Sequence, residues 1–166
     1  MKKYISSIVW LVFLVAFIAS AIYMARNTKT DDYSTDMGGN EFLDVSEVSY
    51  DFGTVSMSSG DVIHEFTITN SNTEAIEIAK IQTSCMCTDA FFIQGDLNKG
   101  PYGMPGHGAI PKVEEILYPG EKATIKVVFD PTAHGPAGIG PIDRSVFVET
   151  GKGASVELRI KGNVTP

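Results

Sequence analysis

Val62-Ile63-His64-Glu65-Phe66-Thr67-Ile68-Thr69, followed by Asn70-Ser71-Asn72-Thr73, decides how this chain folds. Val62, His64, Phe66 and Ile68 alternate with Ile63, Glu65, Thr67 and Thr69, a period of two that sends each set to one face of a strand. The Asn/Ser/Thr cluster after it is turn chemistry. His64 shares its face with three apolar side chains, which reads as a partly buried strand residue rather than a ligand.

The pattern recurs. Ile76 and Ile78 open a run that reaches Gln82, and Tyr118-Pro119-Gly120-Glu121 is a turn before Ala123, Ile125, Val127 and Phe129. Asp130-Pro131 ends that strand. Val146 and Val148 mark another, closed by Thr150-Gly151-Lys152-Gly153, and Val156, Leu158 and Ile160 alternate with Glu157, Arg159 and Lys161. About six or seven half-buried strands with no helix pattern among them predict an all-β fold, an immunoglobulin-like antiparallel β-sandwich. It occupies residues 45–166 as one domain by length.

The amino terminus is different. Lys2 and Lys3 are followed by an uncharged run from Ile5 to Ala25, rich in Leu, Val, Ile and Phe, which at helical rise covers about 30 Å, one bilayer core. Residues 1–26 therefore read as a signal anchor or a signal peptide. Ala19-Ser20-Ala21 has the form of a cleavage site, but the apolar run continues past it through Ile22, Tyr23 and Met24, which suits an uncleaved transmembrane helix. The run contains no cysteine for lipid attachment. Either reading places the rest of the chain outside the cytoplasm, with the membrane itself as the first partner. Residues 27–44 are polar without an apolar period and read as a flexible stalk.

All twenty acidic residues lie after Arg26, against ten of the thirteen lysines and arginines, leaving that part at about −10. A nucleic-acid partner is disfavoured, since phosphate binding needs a basic face.

The two cysteines of the chain, Cys85 and Cys87, lie in Ser84-Cys85-Met86-Cys87-Thr88 at the end of a strand-like run. In extended chain, residues i and i+2 face the same way, so both sulfurs are expected together. Three readings stand for such a pair: soft-metal ligands, a disulfide or redox couple, and two small buried hydrophobes. A disulfide at this spacing is strained unless the chain turns. Met104 and His107 fall in a Gly/Pro-rich stretch, residues 94–111, that reads as one long irregular loop, and His134 falls in a second at 133–141. Thiolate, thioether and imidazole together favour Cu(I), with Zn(II) second, so Cys85, Cys87, Met104, His107 and His134 are the candidate metal ligands. No nucleophile elbow, phosphate loop or zinc-protease motif occurs, and Glu114-Glu115 reads as a solvated turn, so no enzyme is expected.

Taken in order, several of these stretches resemble one bacterial family, domain of unknown function 1573. Tyr50-Asp51-Phe52-Gly53-Thr54-Val55 resembles its opening, Phe66-Thr67-Ile68-Thr69-Asn70 its F-x-V/I-x-N strand, and Ser84-Cys85-Met86-Cys87-Thr88 its S-C-G-C-T signature. Pro119-Gly120-Glu121 and Phe129-Asp130-Pro131 are similar to its P-G-E and F-D-P elements, so the likeness runs from about residue 48 to 164. It implies an exported immunoglobulin-like domain, related to Hydin-type and major-sperm-protein-like domains, with no established activity. Met86 departs from the family's glycine, and residues 94–111 look longer than the family's loop. The resulting expectation is a membrane-tethered binding or scaffolding module of unknown protein partner, or alternatively a soft-metal binding or delivery protein.

Overall fold

The computed structural model describes residues 43–109 and 111–166. The expected membrane helix at 5–25 lies outside the described residues, as does the expected stalk except for its last two residues. Among the described residues no helix is long and apolar enough to cross a membrane.

Among the described residues ten strands form in chain order: β1 Asp44–Val45, β2 Ser49–Ser56, β3 Val62–Thr69, β4 Ile76–Thr83, β5 Thr88–Gln94, β6 Leu97–Tyr102, β7 Glu115–Leu117, β8 Lys122–Phe129, β9 Gly140–Thr150 and β10 Ser155–Thr165. They make two five-stranded sheets, ordered β1-β3-β8-β5-β6 and β2-β10-β9-β4-β7. The alternation read from the sequence is the alternation of burial. Phe66 and Ile68 of β3, Ala123, Ile125, Val127 and Phe129 of β8, and Val156, Leu158 and Ile160 of β10 all point into the core between the sheets. The architecture is an immunoglobulin-like β-sandwich.

Four details differ from the sequence reading. The sheets are not wholly antiparallel: β2 runs parallel to β10, with Arg159 opposite Ser49 and Val164 opposite Val55. Hairpin-linked strands must be antiparallel, but β2 and β10 are far apart in sequence and share no hairpin, and alternation carries no information about direction. Second, residues 94–111 are not one irregular loop. Leu97–Tyr102 forms strand β6, paired with β5 through Ile93 opposite Asn98 and Gln94 opposite Leu97. Being at the sheet edge, β6 tolerates Pro101, which has no N–H to donate. Gly100 is required there, because a Cβ would sit 2.8 Å from Phe91 Cδ1 and 2.9 Å from the Ala90 carbonyl. Third, Glu115 belongs to β7 and forms an ion pair with Lys99 rather than lying in a turn. Fourth, Leu43 is fully buried, so the core takes in a residue that the sequence assigned to the stalk.

His64 stacks on Tyr50 with ring centroids 3.6 Å apart and bonds Glu47 at 3.1 Å, a partly buried strand residue as expected. In β4 the apolar phase shifts from Ile76 and Ile78 to Ile81 and Thr83, because a bulge between Ile78 and Lys80 adds one residue to that strand.

Two of the connections that pass from one sheet to the other position the site. The β4–β5 link, residues 84–87, carries both cysteines, and the β8–β9 link, residues 130–139, carries His134. Phe129 at the end of β8 pairs with Thr88 at the start of β5, so both crossovers leave the sandwich at the same end.

Candidate metal centre

Ser84 through Cys87 form a tight turn rather than extended chain, closed by the Thr88 N–H donating to the Cys85 carbonyl at 3.2 Å. The sulfurs are brought together by this turn and not by strand alternation, which corrects the geometry expected from the spacing. Thr83 Oγ1 also donates to the Cys85 carbonyl at 3.0 Å. Two bonds tie the turn to β9: Ser84 N–H to the Ser145 carbonyl and Ser145 N–H to Ser84 Oγ, both 2.9 Å. The Asp130 N–H donates to the Cys87 carbonyl at 2.9 Å, fastening the second crossover to the first.

Three donor atoms converge on this frame. Cys85 Sγ lies 3.2 Å from His134 Nε2, and the two sulfurs and an imidazole nitrogen all fall within 4.8 Å of one another. Both cysteines are free thiols. They are not equivalent: Cys85 is half-buried, Cys87 is 3% exposed, and His134 is open to solvent. Met86, between them, is 51% exposed and points its side chain away from the core.

The electrostatics differ as well. Burial pushes the Cys85 thiol up, but hydrogen bonds from Cys87, from His134 and from the Cys87 backbone, together with the charge of Arg144, outweigh it and bring it down to about 7. Burial pushes the Cys87 thiol up, and its bond to Cys85 adds to the rise, against the pull of Arg144 and Thr88. Arg144 Nε donates to Cys87 Sγ at 3.4 Å. Burial works against the Arg144 charge, yet the two cysteines outweigh it and hold the guanidinium above its ordinary range.

Of the five residues singled out in the sequence, Cys85, Cys87 and His134 come together. His107 is exposed, turns back through its N–H to the Met104 carbonyl at 3.2 Å, and lies outside the cluster. The neighbouring Gly103 carbonyl accepts from Thr83 N–H at 3.1 Å, which brings the backbone before Met104 beside the start of the cysteine turn. Arg144 was not legible from the sequence. Its place at the sulfurs follows from the pairing of β4 with β9, where Val146 stands opposite Thr83. No local motif announces it.

Residues 43–103 match the model of the family described as Protein of unknown function (DUF1573). This is the family that the sequence resembles. The DUF1573 match takes in the opening motif, the F-x-I-x-N strand and the cysteine motif, and it stops before Pro119-Gly120-Glu121 and Phe129-Asp130-Pro131. No curated protein matches the chain in sequence.

Among solved structures the fold is similar to a protein of unknown function from Porphyromonas gingivalis, at 10% identity and a TM-score of 0.52 over 74% of this chain and 46% of that one. It is also similar to part of a family 123 glycoside hydrolase from Clostridium perfringens, at 6% identity and a TM-score of 0.50 over 70% of this chain and 22% of that one. The ASH/PapD-like domain of human CEP192 aligns at 11% identity and a TM-score of 0.46, covering 74% of this chain and 84% of that domain. The chain spans less than half the length of the first two. At such identities the likeness is one of fold alone.

Proposed function

We propose that this domain is an extracytoplasmic binding module whose working site holds one soft metal ion between Cys85, Cys87 and His134. The observation that carries the reading is the convergence of two thiols and an imidazole within 4.8 Å, drawn from two crossovers hydrogen-bonded to each other. Metal–sulfur bonds of about 2.3 Å place donor atoms about 3.5–4 Å apart around the ion, so the three atoms need only a small closure. Half-exposure of Cys85 and exposure of His134 give the ion an entry path, while burial of Cys87 anchors the site. Three protein donors suit trigonal Cu(I), or Zn(II) with one open position. Binding or delivery fits this arrangement better than turnover.

Titration of the reduced chain under anaerobic conditions with Cu(I), against a competing chelator, tests this. One tight equivalent is expected. It should vanish in Cys85→Ser/Cys87→Ser, weaken in His134→Ala and survive in His107→Ala. Equal binding by wild type and the double cysteine variant would sink the reading.

A strand-accepting scaffold is the second reading. Strand β7 is a three-residue sheet edge, and Ile116 within it and Tyr118 just after it are exposed. Open edges belong to any open sandwich, whereas a cluster of two thiols and an imidazole is a specific donor set, and the metal reading is therefore preferred. Cross-linking in cell envelopes that captures one specific protein through β7 would favour the scaffold.

A further inference from the structure

We infer that Arg144 makes the site selective for a monovalent soft cation, Cu(I), over a divalent one such as Zn(II). The inference rests on the soft-metal reading above and names the ion that it leaves open. Its basis is the charge that each ion leaves behind. Two thiolates and a neutral imidazole around Cu(I) carry a net charge of −1, and the same donors around Zn(II) carry none. The fixed positive charge of Arg144, 3.4 Å from Cys87 Sγ, neutralises the first complex and is left uncompensated beside the second.

The placement of Arg144 fits that role. Its Nε–H occupies one lone pair of the Cys87 sulfur and leaves the others for an ion, the usual manner in which an outer hydrogen bond supports a metal thiolate. Its Nη1 is held by the Asp143 carbonyl at 2.9 Å, which fixes the guanidinium against the sulfur. The charge of Arg144 acts on Cys85 as well as on Cys87, so it faces both sulfurs of the donor set.

Asp143, the chain neighbour of Arg144, and Asp130, whose N–H bonds the Cys87 carbonyl, have their carboxylates otherwise engaged. The Asp143 carboxylate forms two bonds with Arg159, at 2.6 and 3.2 Å, on the neighbouring strand β10. The Asp130 carboxylate accepts from the Thr132 N–H and Oγ1 at 2.7 and 2.6 Å. Arg144 thus keeps its charge available to the sulfurs instead of spending it on a carboxylate. Because Cys87 is nearly inaccessible to water, that charge is weakly screened.

The test is the ratio of Cu(I) to Zn(II) affinity, measured on the full chain by competition with a chelator for each metal. Arg144→Gln should weaken Cu(I) binding by about 10–100-fold, the usual effect of losing an outer partner, and lower the Cu(I):Zn(II) ratio by about tenfold or more. Arg144→Lys keeps the charge and should keep most of the ratio. Urea unfolding of each variant establishes that it folds, and Arg144→Met replaces Arg144→Gln if the latter does not. A ratio unchanged in the neutral variant, with both metals weakened alike, would show that Arg144 merely holds the turn and would overturn the inference. Collapse of the ratio in Arg144→Lys would overturn it too, by showing that bond geometry rather than charge discriminates. Absence of tight Cu(I) binding by wild type is a different failure, that of the metal reading itself.

Discussion

Cys85 Sγ and His134 Nε2 lie 3.2 Å apart across 49 positions of sequence, each on a different crossover between the two sheets. The pairing depends on β8 ending beside the start of β5, where Phe129 stands opposite Thr88. Each crossover is short, and the Asp130-to-Cys87 backbone bond joins them. The site is thereby built on connections anchored to the ends of core strands and hydrogen-bonded to each other, which hold side chains more firmly than free loops do.

The inequivalence of the two thiols predicts ordered alkylation. With its thiol lowered to about 7 and half-exposed, Cys85 should react with iodoacetamide well before Cys87, which is buried and raised. A lowered acid is the thiolate above its pKa, so the Cys85 rate should fall as pH drops through about 7 and level off above it. His134→Ala removes one of the lowering bonds and should move that inflection upward. Mass spectrometry of time-quenched samples reads both rates. Equal rates at the two cysteines would contradict the geometry.

Much of the sandwich is legible in the sequence because burial on one face leaves a period of two, as in β3, β8 and β10. Strand direction is not legible there, and β2 lies parallel to β10 without any local sign of it. Strand β6 is concealed by Gly100 and Pro101 within it, residues that ordinarily break strands and are tolerated at a sheet edge, and by Gly103 just after it. The site is legible in part. Cys85, Cys87 and His134 announce themselves by chemistry, but their meeting is topological. Arg144 resembles any strand arginine until β4 is paired with β9, and His107 carries the right chemistry on a turn outside the cluster.

Gly100 and Gly103 should respond unequally to alanine. At Gly100 φ is +138°, and a Cβ would meet Phe91 Cδ1 and the Ala90 carbonyl inside contact distance. Gly100→Ala should destabilise the domain by about 2 kcal/mol or more. At Gly103 the nearest atom to a Cβ is Asp89 Oδ1 at 3.6 Å, an ordinary contact. Gly103→Ala should therefore lie within about 0.5 kcal/mol of wild type. Urea midpoints at constant m-value separate the two, and equal losses would argue against β6 as an ordered edge strand.

Leu43 tests where folding begins. It is fully buried in the cluster that includes Ile68 and Leu117, just before β1 pairs Asp44 with Thr69. Leu43→Ala should cost about 2–4 kcal/mol, as large-to-small core changes do. Val48, 48% exposed, is the control, and Val48→Ala should change little. A neutral Leu43→Ala in urea unfolding would move the start of the domain to β1 or beyond.

Asn70 is the polar residue on which the β3–β4 turn depends. It closes the F-x-I-x-N stretch, is 0% exposed, and has every side-chain polar atom satisfied. Its Nδ2 donates to the Glu74 and Leu117 carbonyls, both at 2.8 Å, and its Oδ1 accepts from the Asn72 N–H at 2.9 Å. Its backbone bonds Glu121 and Gly120 as well, so this one residue, by side chain and backbone together, fastens the turn after β3 to the end of β7 and the Pro119-Gly120-Glu121 turn before β8. Asn70→Ala leaves two carbonyls and one amide without their partner, and should cost about 2–4 kcal/mol. Asn70→Asp keeps the acceptor but sets a carboxylate against the Glu74 and Leu117 carbonyls, and should be at least as damaging near pH 7. Lowering the pH should recover part of the Asn70→Asp loss, because a protonated carboxyl can donate to one of those carbonyls. The Cys85, Cys87 and His134 cluster lies in other connections, so the Cu(I) stoichiometry proposed for it should be unchanged in any Asn70 variant that folds. Thermal unfolding across pH 4–8 reads the first two effects and titration the third. A tolerated Asn70→Asp would mean that Nδ2 does not hold the two turns together.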